Sequence, residues 1–493
     1  MTVPLPLTQM VAVPLACSPL AYLAGKRSRQ LGGAVAFAAL LYSTLLALVV
    51  LAEYSVAPCP IVEEYAWAPS AGLSFGFRAD GLSIPIALMI LALSAATSVY
   101  SVAYMEHKGG VGAYFALYLL YASGMVGTVL ATNLIQFYLF WELMLVPSYF
   151  LIAEWGYGDR ERVSFKYFIY THVGALSLLT GILATYVLFG TFNIYELPSR
   201  LAANPSVSGT VPWIAAAMAI GFFVKMAVVP LHTWLPDAHA EAPTPISVLL
   251  SGVMIECGVY AFNRVIVSIF WSAIWPLHAW LMALAVITMF YGGMMALAQL
   301  DIKRLLAYSS ISQIGYMLFG MSTGSYYGVV GSVYHILSHA CAKGLLFACA
   351  GAIMHQTGGR RDMRELGGLA ERMPCTAVFF TVGVFSLAGV PTFAGFVSEF
   401  MIFLGGFTVA RGAEVAVVVL AVMCAALTTA YGLWALKRVF FGPLREGLEG
   451  VKEAPLTMLV PMGFLAAVSF ALGLWPSPIL DVLGAWASSL TGA

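Results

Sequence analysis

Apolar runs of about twenty residues recur from one end of the chain to the other, divided by short polar stretches. Coiled as a helix, each run is long enough to cross the hydrocarbon core of a bilayer, roughly 30 Å thick. Helical pairing also satisfies the backbone where no water is available. The pattern predicts fourteen spans, at 9–25, 31–52, 82–104, 112–131, 134–153, 165–189, 212–250, 253–270, 277–298, 303–322, 325–355, 374–409, 413–436 and 455–476. Two of them are interrupted. In VVPLHTWLPDAHAEAPTPIS, prolines 230, 236, 243 and 245 remove backbone donors and clash with the preceding turn, so 212–250 is not one continuous helix. In LAGVPTFAGF, Gly389, Pro391 and Gly395 break the span 374–409 in the same way. Unwound backbone at membrane depth survives only where protein or water satisfies it.

Both breaks fall in the fourth of five consecutive spans, counted from the span at 112 and again from the span at 277. Five is odd, so the second unit would be inverted relative to the first. Paired broken helices in inverted repeats point to a transport path; two unrelated proline kinks are the competing explanation. The expected fold class is therefore an all-α polytopic membrane protein of about fourteen transmembrane helices, with two inverted five-helix repeats, each containing a broken helix. The expected divisions are N-terminal transmembrane helices over 1–111, a first repeat over 112–270, a second over 277–440 and a C-terminal transmembrane helix over 441–493.

Composition strengthens this picture. Of 493 residues, 61% are hydrophobic and 9% charged, too few charges to clothe a water-facing surface. The charges are also unevenly placed. On the face reached after the first span lie seventeen basic residues, among them Lys26, Arg27, Lys108, Arg160, Lys303 and Arg361; the other face has Arg78, Arg200, Arg264 and Arg411. The positive-inside rule makes the basic face cytoplasmic and sends both termini outward, most simply in a plasma membrane. Met1 to Gln9 carry no basic residue, so no cleavable signal peptide is expected. The seven cysteines form no Cys-x-x-Cys pair, and neither a Walker A loop nor a Gly-x-Gly-x-x-Gly turn occurs. No cofactor, metal or nucleic acid is expected on this chain, and redox chemistry linked to it belongs to other chains.

Several residues stand where lipid makes them costly. A charge at the bilayer centre costs at least about 2.5–3.5 kcal/mol. Glu142 lies within FYLFWELMLVPSYF, Lys225 within IGFFVKMAVVPLHTW, Lys343 within HILSHACAKGLLF, and Glu399 follows the second break; Glu256 stands close to the start of its span. A structural ion pair or a snorkelling lysine would explain any one of them, but not so many together. His335 and His339 are an i, i+4 pair with Lys343 at i+8, all on one helix face. Histidine titrates near neutral pH and can relay protons. A zinc site is the competing reading of His-x-x-x-His, though no acidic or cysteine ligand is near in sequence. His172, alone in an aromatic span, reads as a satisfied core histidine.

The runs KMAVVPLHTWLPDAHAEAPTPISVLLSGVM, FYLFWELMLVPSYFLI, DIKRLLAYSSISQIGYM and HILSHACAKGLLF, the last followed by RELGGLAERMP, resemble the antiporter-like subunits of proton-pumping NADH:quinone oxidoreductase, complex I. The resemblance covers about residues 80 to 440 and is nearest to the subunit M branch. It implies that Glu142 is the acid of the fifth helix, Lys225 the lysine of the first broken helix, His335 and His339 the central relay, and Glu399 the terminal acid. Two departures stand out: Glu256 occupies a lysine position of that branch, and Lys343 is more like subunit L and the Mrp-type antiporter subunits. The resemblance further implies partners in the bilayer, namely other antiporter-like subunits and a quinone-site subunit, and a peripheral redox arm. NADH, FMN, iron–sulfur clusters and quinone would sit in those partners.

The expected function is proton translocation driven by redox chemistry elsewhere. A carboxylate at Glu142 close to Lys225 would favour the charged ammonium, and separating the two in a dry site would favour proton release. The expected path runs from His239 and Glu256 through Lys225, His335, His339 and Lys343 to Glu399. A Mrp-type Na⁺/H⁺ antiporter subunit, a membrane subunit of an energy-converting hydrogenase or formate hydrogenlyase, and a purely structural membrane subunit are the alternatives.

Overall fold

The computed structural model describes residues 3–68, 73–204, 206 and 208–491. The chain is mostly helical. Among the described residues, ten helical segments are long and apolar enough to cross a membrane, and Val211–Met226, Pro374–Leu387 and Ala394–Val409 are shorter apolar helices. In chain order, α1 (Pro6–Arg27) and α2 (Arg29–Val56) form a hairpin around Ser28, whose side chain accepts from Leu31 N and caps α2. Strands β1 (Ile61–Ala68) and β2 (Leu73–Ala79) follow as an antiparallel pair. Then come α3 (Ser83–Tyr104), α4 (Val111–Leu130), α5 (Leu134–Trp155), α6 (Arg160–Phe189) and the short α7 (Leu197–Ala203). Asn133 caps α5 by accepting from Gln136 N.

The first break lies between α8 (Val211–Met226) and α9 (Leu235–Glu241). From Thr244 a nearly continuous helical run follows: α10 (Thr244–Leu249), a π-helical turn at Leu250–Met254, α11 (Glu256–Ala261), a second π-helical stretch at Phe262–Phe270 and α12 (Trp271–Ile274). After it come α13 (His278–Leu297), α14 (Ile302–Ser322) and α15 (Tyr326–Gln356). The second break separates α16 (Pro374–Leu387) from α17 (Ala394–Val409); α18 (Glu414–Phe440), α19 (Leu456–Leu474) and α20 (Ser477–Thr491) end the chain. Asp301 and Ser325 cap α14 and α15 through their side-chain oxygens.

Helix α15 is the central pole. Its apolar window is entirely buried, and α3, α10, α14, α16, α17, α19 and α20 all pack on it. His335, His339 and Lys343 on this helix therefore face protein, not lipid.

Four features differ from the sequence expectation. The fold is not purely helical: Ile61–Ala68 and Leu73–Ala79 pair as antiparallel strands, and the alternation in LSFGFRA is the period-two signal for the second of them. An isolated two-stranded hairpin is marginal in water. Here Glu63 anchors it by accepting from Leu7 N and Thr8 N, both at 2.8 Å, at the start of α1. Such a carboxylate also suits the positive end of a helix. Second, the helix of Glu256 begins at Thr244, not at 253, because Pro243 and Pro245 can start a helix but not continue one. Glu256 consequently sits mid-helix rather than near an end. Third, the second half of the first broken segment is only α9. Fourth, α20 is a further helix beyond 455–476.

Each break is held in a strained conformation. Ala227 and Thr392 are non-glycine residues with φ of 59° and 84°, one at each break. Such residues cost of order 1–3 kcal/mol and gather at functional sites. At the second break the backbone closes so tightly that a Cβ on Gly395 would stand 1.8 Å from Ser386 O. Gly395→Ala is expected to destabilise the protein by about 1–3 kcal/mol or more through overpacking. Thermal unfolding of the purified protein in detergent checks this, and an unchanged midpoint would contradict the packing.

Ion pairs gather at one end of the helix bundle, the basic end. Asp237 of α9 pairs with Lys166 of α6 at 2.7 Å and with Arg304 of α14 at 3.1 Å. Arg361 pairs with Glu241 of α9 at 3.2 Å and with Asp301 at 2.8 Å. Buried Lys303 donates to Ala240 O and Ala242 O, carbonyls left unpaired as α9 ends. The β-hairpin marks the opposite end.

Candidate functional site

Lys225 stands in the last turn of α8, just before the first break. The broken helix leaves carbonyls without intrahelical partners there, and a cation at a helix C-terminus is favoured by the macrodipole. Val224 O there accepts both from Trp234 Nε1 at 2.9 Å and from Ala227 N at 3.2 Å. Lys225 Nζ has no hydrogen-bond partner and lies 5.2 Å from the centroid of the Trp141 ring.

Glu142, one residue on from Trp141 in α5, does not form an ion pair with Lys225; no pair of theirs falls within 4.0 Å among the described residues. Its close partner is His172 of α6, with Nδ1 3.4 Å from Glu142 Oε2. This corrects the reading of His172 as a satisfied core histidine. Its side chain is 38% exposed and its Nδ1 has no hydrogen bond. The sequence signal was available: residue 142 on α5 and residue 172 on α6 lie at similar distances from the loop that joins the two helices.

The remaining candidates converge on α15. Glu256 of α11 brings Oε1 to 2.6 Å from His339 Nδ1, out of line for a hydrogen bond but in direct contact. His335, one turn away, has its ring centroid 6.2 Å from that of His339. Its Nε2 meets Gln313 Oε1 of α14 at 2.7 Å and its Nδ1 meets Ser398 Oγ of α17 at 2.8 Å. Ser398 is the neighbour of Glu399, whose Oε1 is buried without a partner. Tyr316 stacks on His335 and shares Thr428 Oγ1 with Gln313. Lys343 donates to Leu306 O at 3.0 Å and to Ser309 Oγ. His239 of α9 has both ring nitrogens unpartnered and stacks on Phe347, one turn beyond Lys343, at 5.1 Å.

This arrangement corrects the expected order. Starting from the basic end, α15 presents Phe347 against His239, then Lys343, His339 and His335. Ser398 and Glu399 meet the His335 end. Lys343 does not stand between the histidines and Glu399, because α15 carries it two turns the other way. Glu256 joins the row from the side, at His339.

The two histidines also do not share a ligand set. One faces Gln313 and Ser398, the other Glu256. Among the described residues no three His, Cys, Asp or Glu side chains come together as a metal would require. Gln313, Ser398, Tyr316 and Ser309 were not singled out from sequence. Neutral polar residues are common in transmembrane helices, and only the packing of α14 and α17 on α15 distinguishes these.

Chemically, Lys343, His339, His335, Glu256 and Glu399 form a buried row of groups that can each take and release a proton, with a hydroxyl and an amide holding the histidine nearest the second break. Lys225 is a further such group at the first break.

Residues 131–428 match the family described as NADH:quinone oxidoreductase/Mrp antiporter, and residues 67–115 match that of the N-terminus of complex I chain 5. The chain is 32% identical over 441 residues to the F(420)H(2) dehydrogenase subunit M of Methanosarcina mazei, covering 87% of both chains. It is 33% identical over 465 residues to NADH-quinone oxidoreductase subunit M of Rhodobacter capsulatus, covering 91% of this chain and 88% of the relative. Its fold is similar to that of a chain of respiratory complex I from Thermus thermophilus, with a TM-score of 0.86 and 25% identity over 99% of this chain and 100% of the other. With the match over 131–428 and relatives this similar along nearly their whole length, the chain belongs to the NADH:quinone oxidoreductase/Mrp antiporter family of membrane subunits.

Proposed function

We propose that this chain is the proton-translocating, antiporter-like membrane subunit of a redox-driven respiratory complex. The observation that carries this reading is the buried row Lys343–His339–His335–Ser398–Glu399 along α15, joined from the side by Glu256. So many costly groups buried along one helix fit a proton path better than a stabilising network, since a stabilising pair would be satisfied and several of these atoms are not. The chain crosses the membrane fourteen times, with the basic end in the cytoplasm and both termini outside. Residues 112–270 and 277–440 are inverted five-helix repeats, and the strained breaks at Ala227 and Thr392 mark corresponding positions in them.

Protons are taken up at the basic end, where His239 leads to Lys343. They pass to His339 and His335, with water bridging the steps, and leave by Glu399. Lys225 and Glu142 form the switch of the first half, coupled to the row through Glu256. Since Glu142 has His172 beside it rather than Lys225, the resting state is the separated one. Closing that gap would set the carboxylate against the ammonium. The electron chemistry belongs to partners. NADH, FMN, iron–sulfur clusters and quinone are expected there, and the donor varies with the host, as the names of the Methanosarcina and Rhodobacter relatives suggest.

The test is purification of the tagged chain in mild detergent, mass spectrometry of its partners, and substrate-driven proton uptake by inside-out vesicles. Quinone-site and cysteine-rich redox subunits with substrate-driven acidification are the expected result, lost in Glu399→Gln. Co-purification of small antiporter subunits alone, with Na⁺-dependent proton release, would replace this reading by ion exchange.

A further inference from the structure

Glu256 has a second set of polar side chains beyond it, on its own helix. The helix that carries it continues to the hairpin end, and residues 256, 260 and 264 follow one another at single turns. Tyr260 and Arg264 do meet, with Arg264 Nε donating to Tyr260 Oη at 3.1 Å. A proton on Glu256 could therefore leave along its own helix instead of crossing to His339. In the proposed orientation that route ends outside, on the order of 10 Å away at helical rise.

The route is stopped by charge. Arg264 is buried and bonds Asp80 Oδ1 through Nη2 at 2.6 Å. Its guanidinium lies over the rings of Tyr195 and Tyr260, at 5.4 and 5.5 Å. Arg78 adds a second positive charge, 3.7 Å from Asp80 Oδ2 and 3.8 Å above Tyr195. Tyr260 cannot pass a proton on, because its own hydroxyl proton is given to Val129 O at 2.6 Å and Arg264 occupies a lone pair. Arg264 cannot relay either, because it stays protonated at any working pH. A fixed arginine charge in a narrow path excludes protons and cations.

A purely structural role explains less. Asp80 already caps the start of α3, accepting from Leu82 N and Ser83 N at 3.2 and 3.0 Å. That cap does not require a buried arginine from a helix 184 residues away in sequence, and burying one is costly.

We propose that Arg264, held by Asp80, is an electrostatic seal that closes the hairpin end of the first half and directs protons on Glu256 toward His339. The inference rests on the proton-path reading of Glu256. Its test is passive proton flux into proteoliposomes of the intact host complex, with a pH dye inside, a potassium diffusion potential imposed, and no redox substrate.

Arg264→Leu is expected to raise the flux at least tenfold over wild type, and Arg264→Lys to stay tight. Adding Glu256→Gln to Arg264→Leu should return the flux to the wild-type level. Arg264→Gln, which keeps the length and polarity of the side chain, is read the same way if the leucine variant does not assemble. An assembled Arg264→Leu or Arg264→Gln variant as tight as wild type overturns the seal, as does a leak that persists in the double variant. Substrate-driven pumping by the wild-type complex is measured separately, so loss of the pumping reading and loss of the seal are distinct results.

Discussion

Lys225→Ala is expected to abolish proton translocation while the chain remains inserted, assembled and at least as stable as wild type. The pairing of those two outcomes is what the local structure dictates. Lys225 Nζ is buried and makes no hydrogen bond. An unpartnered buried polar group costs stability, so its removal relieves that cost. A lysine kept for structure would show the opposite, since removing one partner of a buried pair is strongly destabilising. Glu142→Ala is expected to lose transport as well, because it takes the carboxyl group from the proposed switch. Proton uptake by inside-out vesicles, measured beside electron transfer and thermal unfolding, separates the cases. Wild-type proton uptake per electron in both variants would remove the switch from the mechanism.

Glu256→Gln is expected to lower coupled transport more than tenfold, with electron transfer and assembly retained. Glu256 is the group of the first half that touches the central row, through the 2.6 Å approach to His339. An amide preserves its shape and cannot carry the proton. Glu256→Asp, shorter by one methylene, should keep part of the activity by way of water. Glu256→Lys is the informative third variant. It restores the residue that the subunit M pattern leads one to expect, yet sets an ammonium against His339, which already has Lys343 one turn away. We expect it to be as defective as glutamine. Transport by Glu256→Gln at the wild-type rate would mean that the two halves communicate elsewhere.

Much of this was legible in the chain. A glutamate or lysine deep in an apolar run stands out because its cost in lipid is large, so Glu142, Lys225, Glu256, Lys343 and Glu399 could be read without a fold. Proline and glycine located both breaks, since their backbone limits are local. The row on α15 followed from helical spacing alone. What failed was whatever depended on neighbours distant in sequence. His172 resembled a core residue until α6 set it beside Glu142, and Lys343 was ordered after the histidines because spacing gives a face but not which helix meets it. The strands were missed because two short segments of moderate hydropathy lay between much stronger helical signals.

The sequence by itself thus determined the environment of the chain, where its helices break, and which side chains would be expensive to bury. Those properties are set residue by residue, by transfer cost and backbone geometry. Only the tertiary structure decided who meets whom: Glu256 with His339, His335 with Gln313 and Ser398, and Arg264 with Asp80. Proton transfer requires contact within a few ångströms, and helices that cross in three dimensions bring together residues that no periodicity along the chain connects.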